Sequence, residues 1–321
     1  MRIGRNGGEG AVNADIADPT RTRDILRRHG LDLRKKWGQH FLVSPAVLRN
    51  IAEASGAGPE DGVLEIGPGI GALTEQLARR AGLVVAVEID ERLLPVLAET
   101  LAPYPNVRLL HADALRLDWR DVWSRHFGGM RSVRVAANLP YNVATAILTS
   151  LLSSGVRFER MVVMVQKEVA DRLAASPGTK AYGSLTVAVR YRCDVERIAV
   201  VSARCFVPPP KVDSAVVRLT PKMAPAPRAR DETLFFGVVR ACFAQRRKTI
   251  ANNLLAACFG SGDRAGDRVK VEELLRSVGI DPSRRAETMS VEEFVRLADR
   301  LAEEERFTHP RHTMNEGEWG E

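Results

Sequence analysis

Two periodicities divide this chain. Up to about residue 222, short apolar runs alternate with stretches of helical period, and beyond about residue 231 only the helical period remains. Residues 63–66, 84–89, 107–111, 133–137 and 161–165 are predicted strands. The last of them is almost continuously apolar, as in a sheet covered on both faces. Residues 72–78, 142–152 and 166–175 carry helical patterns between them. Residues 20–29 predict a short basic helix stopped by Gly30, and Ser44 with Pro45 supplies the N-cap and first position of another. Residues 187–192, 197–202 and 214–219 read as further strands, the last two antiparallel, with Pro208-Pro209-Pro210-Lys211 as a rigid connector between them. Strand and helix alternating in this way predict an α/β fold, a Rossmann-like sheet within residues 20–222. A Pro-, Ala- and Arg-rich linker at 221–230 leads to a small all-helical domain, 231–306, carried by 234–255, 271–278 and 291–304. The polar ends, 1–19 and 307–321, are expected to be disordered.

One junction organises the rest. The predicted strand 63–66 runs into Gly67-Pro68-Gly69-Ile70-Gly71, and a helix follows at once. Closely spaced glycines let a backbone turn sharply and approach a ligand with no Cβ in the way. Gly67, Gly69 and Ala72 also satisfy the dinucleotide fingerprint, so a nicotinamide or flavin cofactor competes here with other nucleotide-like ligands. Glu88 falls near the carboxyl end of the next strand, about 20 residues after the first glycine, where an acid accepts from ribose hydroxyls. Asp113 ends the third strand and faces the same crevice.

Composition narrows the partners. The 321 residues are 45% hydrophobic and 27% charged, enough for one full domain and a smaller one. A net charge of +7 suits a polyanionic partner, as does the run from Arg21 to Lys36, with seven Arg or Lys against two Asp. The four cysteines have no metal-ligand spacing and read as reduced thiols of a cytoplasmic protein; the histidines form no zinc cluster. No apolar run reaches the roughly 20 residues of a membrane span, and the N-terminus has no secretory signal pattern.

Asn138-Leu139-Pro140-Tyr141, at the end of the fourth strand, speaks to the chemistry. An exocyclic amine on a nucleobase is a weak nucleophile because its lone pair is delocalised into the ring. An amide oxygen and a backbone carbonyl accepting from that amine favour the pyramidal form that attacks. Proline holds the turn rigid, and tyrosine offers a flat face for a flipped-out base. Hydride transfer has no use for such a quartet.

These motifs resemble the S-adenosylmethionine-dependent ribosomal RNA adenine dimethyltransferases. The resemblance rests on Glu65 to Gly71, Glu88, Ala112-Asp113-Ala114 and Asn138 to Tyr141, with Gly38-Gln39-His40-Phe41-Leu42 and Phe206 to Ser214. It runs from about residue 24 to about 297. Phe243 to Thr249, with Arg246, Arg247 and Lys248, resembles the small-subunit branch rather than the large-subunit resistance enzymes. The resemblance implies that Gln39, His40 and Leu42 close over the methionine end of the cofactor and that Gly67 and Gly69 approach it by backbone. It implies Glu88 at the ribose, Asp113 at the adenine amine, and Asn138 touching both cofactor and target. Tyr141 and Phe206 would sandwich the target adenine. The family usually has Asn where this chain has His40, which as a neutral imidazole still donates a hydrogen bond. Two neighbouring adenosines near the end of small-subunit rRNA, within an assembling ribosomal particle, are the implied target of a monomeric, metal-independent enzyme. Its rivals are the same reaction on large-subunit rRNA and an RNA-binding assembly factor that keeps the cofactor site.

Overall fold

The computed structural model describes residues 15–31, 40–224, 227–259 and 264–304. It divides into two compact units, residues 1–170 with 196–220, and residues 171–195 with 221–321.

The first unit is built on a seven-stranded sheet. In chain order its parts are α1 (Pro19–Arg28), β1 (Phe41–Leu42), α2 (Pro45–Ser55), β2 (Asp61–Ile66), α3 (Ala72–Ala78), β3 (Leu83–Glu88), α4 (Leu94–Thr100), β4 (Val107–His111) and α5 (Trp119–His126). Then come β5 (Ser132–Asn138), α6 (Ala144–Ser153), β6 (Arg160–Gln166), α7 (Lys167–Leu173), β7 (Cys193–Val201), β8 (Phe206–Val207) and β9 (Ser214–Pro221); α7 runs on past the unit boundary, and α8 (Ser184–Arg192), which follows it, belongs to the second unit with the first residues of β7. The sheet order is β4-β3-β2-β5-β6-β9-β7. β2 pairs in parallel with both β3 and β5, β3 with β4, and β5 with β6, whereas β9 lies antiparallel to β6. Every residue of β2 and β3 is buried, which accounts for the unbroken apolar run Leu83–Val87 of β3; β2 buries Asp61 and Glu65 along with its apolar residues. The chain moves outward from β2 to β3 and β4, then returns to lay β5 on the other side of β2. That reversal opens a crevice beyond the carboxyl ends of β2 and β5.

The second unit packs α8 with α9 (Glu232–Phe243), α10 (Ile250–Phe259), α11 (Arg264–Ser277) and α12 (Val291–Ala302) around Tyr182, Tyr191, Phe235 and Phe294. A Ser290–Glu293 capping box starts α12.

The structure corrects four sequence expectations. Residues 187–192 are helix, not strand. Their Val187, Ala188 and Tyr191 are buried in the helical core, so burial of several faces hid the helical period, and the Thr186 hydroxyl starts the helix by accepting from Gly183 N at 3.1 Å. The predicted helix 234–255 is two helices. Asn253 closes the break by donating to the carbonyls of Cys242 (2.6 Å) and Gln245 (3.2 Å). Residues 171–195, placed by sequence in the α/β domain, belong to the helical unit. The expected disorder of residues 1–19 fails at its end, where Ile16 and Ala17 are fully buried and Ile16 N donates to Glu75 Oε2 at 2.8 Å. Residues 1–14 and 305–321 lie outside the described residues. No helix among the described residues is long and apolar enough to cross a membrane.

Candidate active site

The site is assembled where β2, β3, β4 and β5 end. After Ile66 the chain turns through Gly67, Gly69 and Gly71, whose φ angles are +72°, +62° and +91°, values that L side chains resist. A Cβ on Gly69 would also stand 3.3 Å from the Phe41 ring. Gly67 N is fixed to Val87 O at 2.9 Å, so the turn is held against the end of β3.

Three carboxylates descend from adjacent strand ends. Glu88 is buried; its Oε1 accepts from Ile89 N (2.9 Å) and Asp90 N (2.8 Å), and burial raises its pKa against those bonds. Asp113, at the exit of β4, accepts from Leu115 N at 3.0 Å and is approached by Arg116 at 3.5 Å. Glu65, inside β2, is 1% exposed, and its Oε2 has no hydrogen-bond partner. Burial pushes its pKa up to about 8, and the charge of Glu88 adds to this. The Thr74 hydroxyl lies near enough to favour the charged form but makes no well-formed hydrogen bond to it.

Burial of that carboxyl has a measurable consequence. An acid with a higher pKa folded than unfolded holds an extra proton in the native state between the two values. Stability therefore falls as pH rises from about 4.5 through about 8. Glu65→Gln, neutral at every pH, is expected to flatten that slope. Thermal melts of the ligand-free protein between about pH 5 and pH 9 check it, and parallel curves for the two proteins would remove Glu65 from the titration.

Asn138 ends β5 opposite Met164 of β6, and Leu139 N continues the ladder to Met164 O at 3.1 Å. Val143 N closes the turn onto Pro140 O at 3.1 Å. The Tyr141 hydroxyl lies 2.6 Å from Ser214 Oγ at the start of β9, and burial raises its pKa. The His40 ring stacks on Tyr141 with centroids 5.8 Å apart and planes at 26°, and its Nδ1 is 2.7 Å from Pro208 O.

His40, Leu42, Gly67, Gly69, Glu88, Asp113, Asn138, Pro140 and Tyr141 all line one cavity of about 330 Å³. Leu139 is buried at 1% exposure and contributes its backbone. Gln39 lies outside the described residues. Phe206, expected from the resemblance to face Tyr141 across the target base, pairs with Leu42 across β8 and β1, is 2% exposed, and does not line the cavity. Sequence reading passed over Glu65 and Ser214. A carboxylate inside a wholly buried strand was the available signal for the first; for the second there was only its place in a quoted motif.

Among the described residues, four acidic side chains, Glu65, Glu88, Asp90 and Asp113, and no Lys or Arg line the cavity. That chemistry suits a hydroxyl-bearing cation and opposes a pyrophosphate. A doubly wound parallel sheet, with an antiparallel strand beside β6 and an acidic cavity at its switch point, makes this a Rossmann-like methyltransferase. The ribosomal RNA adenine dimethylase family profile matches residues 30–303. The chain is 50% identical over 290 residues to the ribosomal RNA small subunit methyltransferase A of Geobacillus sp. (strain WCH70), covering 90% of this chain and 99% of that one. Its counterpart in Geobacillus thermodenitrificans (strain NG80-2) is 51% identical over 290 residues, 90% and 98% of the two chains. Among solved structures, a dimethyladenosine transferase from Plasmodium falciparum superposes with a TM-score of 0.67 at 26% identity, covering 84% of this chain and 98% of that one. The 23S rRNA methyltransferase ErmE gives 0.61 at 29% identity, with 82% and 99% covered. The chain belongs to the ribosomal RNA adenine dimethylase family, on its small-subunit side.

Proposed function

We propose that this protein dimethylates N6 of two adjacent adenosines near the 3′ end of small-subunit rRNA, with S-adenosylmethionine as methyl donor, during ribosome assembly in the cytoplasm. The observation that carries the reading is the Asn138–Tyr141 turn, which opens onto the same cavity as the four carboxylates. Relatives about 50% identical and named for the small subunit favour that RNA over the large-subunit one.

The donor's fit is chemical. Glu65 Oε2 is buried and has no hydrogen-bond partner among the described residues, and would suit a cationic group. Glu88, with its Oε1 tied to two backbone N–H groups, would take the ribose hydroxyls, and Asp113, which lines the same cavity, would take the adenine amine. When bound, the donor supplies an electrophilic methyl on a sulfonium. The residues of this chain align the target amine with that methyl, and alignment accounts for much of the acceleration. Asn138 accepts from the amine as it pyramidalises, and Tyr141, braced by Ser214, stacks the base. Arg247 and Lys248 are exposed and suit RNA phosphates, whereas Arg246 donates to Lys180 O at 2.7 Å within its own unit.

Glu88→Ala is expected to weaken donor binding at least tenfold, since hydrogen bonds to a charged acceptor are worth roughly 1.5–3 kcal/mol. Calorimetry with unchanged affinity would remove Glu88 from the site. The reading as a whole is tested by nucleoside mass spectrometry of rRNA from cells with and without the gene. Loss of dimethyladenosine from small-subunit rRNA is expected. Loss from large-subunit rRNA, or from neither, would overturn it.

A further inference from the structure

The glycine turn is held from outside the cavity, by the carboxyl end of α4. We infer that Thr100, with Tyr104 one turn on, is a positioning residue for the methyl donor, because it fixes the turn that carries Gly67 and Gly69. This rests on the reading that the cavity takes S-adenosylmethionine.

Three observations carry it. First, the turn depends on bracing. Glycines at φ +72°, +62° and +91° let a ligand come close, but the same freedom lets an unheld turn wander, and ordering it on binding costs affinity. Gly67 N to Val87 O and Gly71 N to Pro68 O, both 2.9 Å, are backbone bonds. The Thr100 hydroxyl adds a side-chain bond, donating to Ile70 O at 3.0 Å. The Ile70–Gly71 peptide is thereby held at both edges, its carbonyl by Thr100 and its N–H by Pro68. Second, that bond joins separate elements. A threonine in a helix commonly returns its hydroxyl to a carbonyl of the preceding turn. Thr100, the last residue of α4 and 4% exposed, instead reaches a carbonyl 30 residues away. Third, its neighbours close on the same place. A Cβ at Gly71 would stand 3.0 Å from Leu101 and 3.2 Å from Thr100 Oγ1, so the end of α4 fits against bare backbone. Tyr104, just after α4, donates its hydroxyl to Glu75 Oε1, in the first turn of α3, at 2.9 Å. Ile70 is among the described residues that line the cavity; Thr100, Leu101, Tyr104 and Glu75 are not. They act on a ligand only through the backbone they hold.

The test uses the full-length protein with Thr100→Val, which keeps the shape and removes the hydroxyl, and Thr100→Ser, which keeps the hydroxyl. Calorimetry with S-adenosylmethionine and S-adenosylhomocysteine is run at a temperature where every variant is folded. Thr100→Val is expected to bind both roughly tenfold more weakly, the scale of one hydrogen bond, and Thr100→Ser to stay within about twofold of wild type. KM for the donor should rise by the same factor, with kcat and KM for RNA near wild type. In the ligand-free protein, amide hydrogen exchange should quicken over residues 67–75 of Thr100→Val and hold at β5. Tyr104→Phe is expected to act in the same direction, and it carries the test if Thr100→Val does not fold. A lower melting temperature with unchanged donor affinity makes these bonds ordinary core structure and overturns the inference. Equal losses in Thr100→Val and Thr100→Ser point to packing rather than the hydroxyl and overturn it too. A wild-type protein that binds neither compound overturns the donor reading itself. Wild type and variants that bind them alike overturn the positioning role alone.

Discussion

Asn138→Ala is expected to lower the rate of methyl transfer by roughly 10²–10³, the usual cost of losing one hydrogen bond made in the transition state. The side chain stands at the last position of β5, fixed between β2 and β6, and lines the cavity beside Pro140 and Tyr141. Its amide oxygen is needed most when the amine's lone pair leaves the ring system, so kcat should carry the loss and KM should move little. The backbone bonds of the turn, Leu139 N to Met164 O and Val143 N to Pro140 O, do not involve that side chain, and the fold should survive. Single-turnover assays with calorimetry on the donor separate these effects. A rate within a few-fold of wild type would leave Asn138 as a turn residue only.

Phe206→Ala is expected to cost about 3–5 kcal/mol of folding stability, the range for removing a buried aromatic ring. The ring is among the largest fully buried side chains and packs in the first unit's core with Leu42 and Phe41. Its loss also loosens the pairing of Leu42 with Phe206 that seats β1 beside the cavity. Chemical denaturation measures the stability. The ratio of mono- to dimethyladenosine in the product should stay that of wild type at a temperature where the variant is folded. Accumulation of monomethyladenosine with unchanged stability would put the ring back against the base.

Much of this arrangement was legible because a parallel sheet is buried on both sides. Runs such as Leu83–Glu88 carry no polar interruption until the strand ends, so the first polar residue marks the edge where ligands bind. Glu88 was found in that way, and Asp113 and Asn138 by their place at the carboxyl ends of the next predicted strands. Contacts made by residues distant in sequence were not legible. The Ser214–Tyr141 bond spans 73 residues and the His40–Pro208 bond 168, and no local pattern announces either. Glu65 hid for the opposite reason: its neighbours made a buried strand obvious, and the carboxylate within it was read as part of the strand. In the second unit, Val187 to Arg192 imitated a strand because a helix packed on several sides shows no amphipathic stripe.

The docking of Ile16 shows that the edge of a family match is not the edge of a folding unit. The profile begins at residue 30, yet Ile16, Ala17, Ile25 and Leu26 already belong to the first unit's core. Ile16 N is one of three donors to the buried Glu75 carboxylate, with the Tyr104 hydroxyl at 2.9 Å and Arg79 at 3.0 Å, and Arg79 reaches back to Asp15 at 2.8 Å. A version trimmed to the matched region would therefore expose a greasy groove and strip a donor from the helix that leaves the glycine turn. Anyone shortening this protein for crystals or for assay should cut before residue 15.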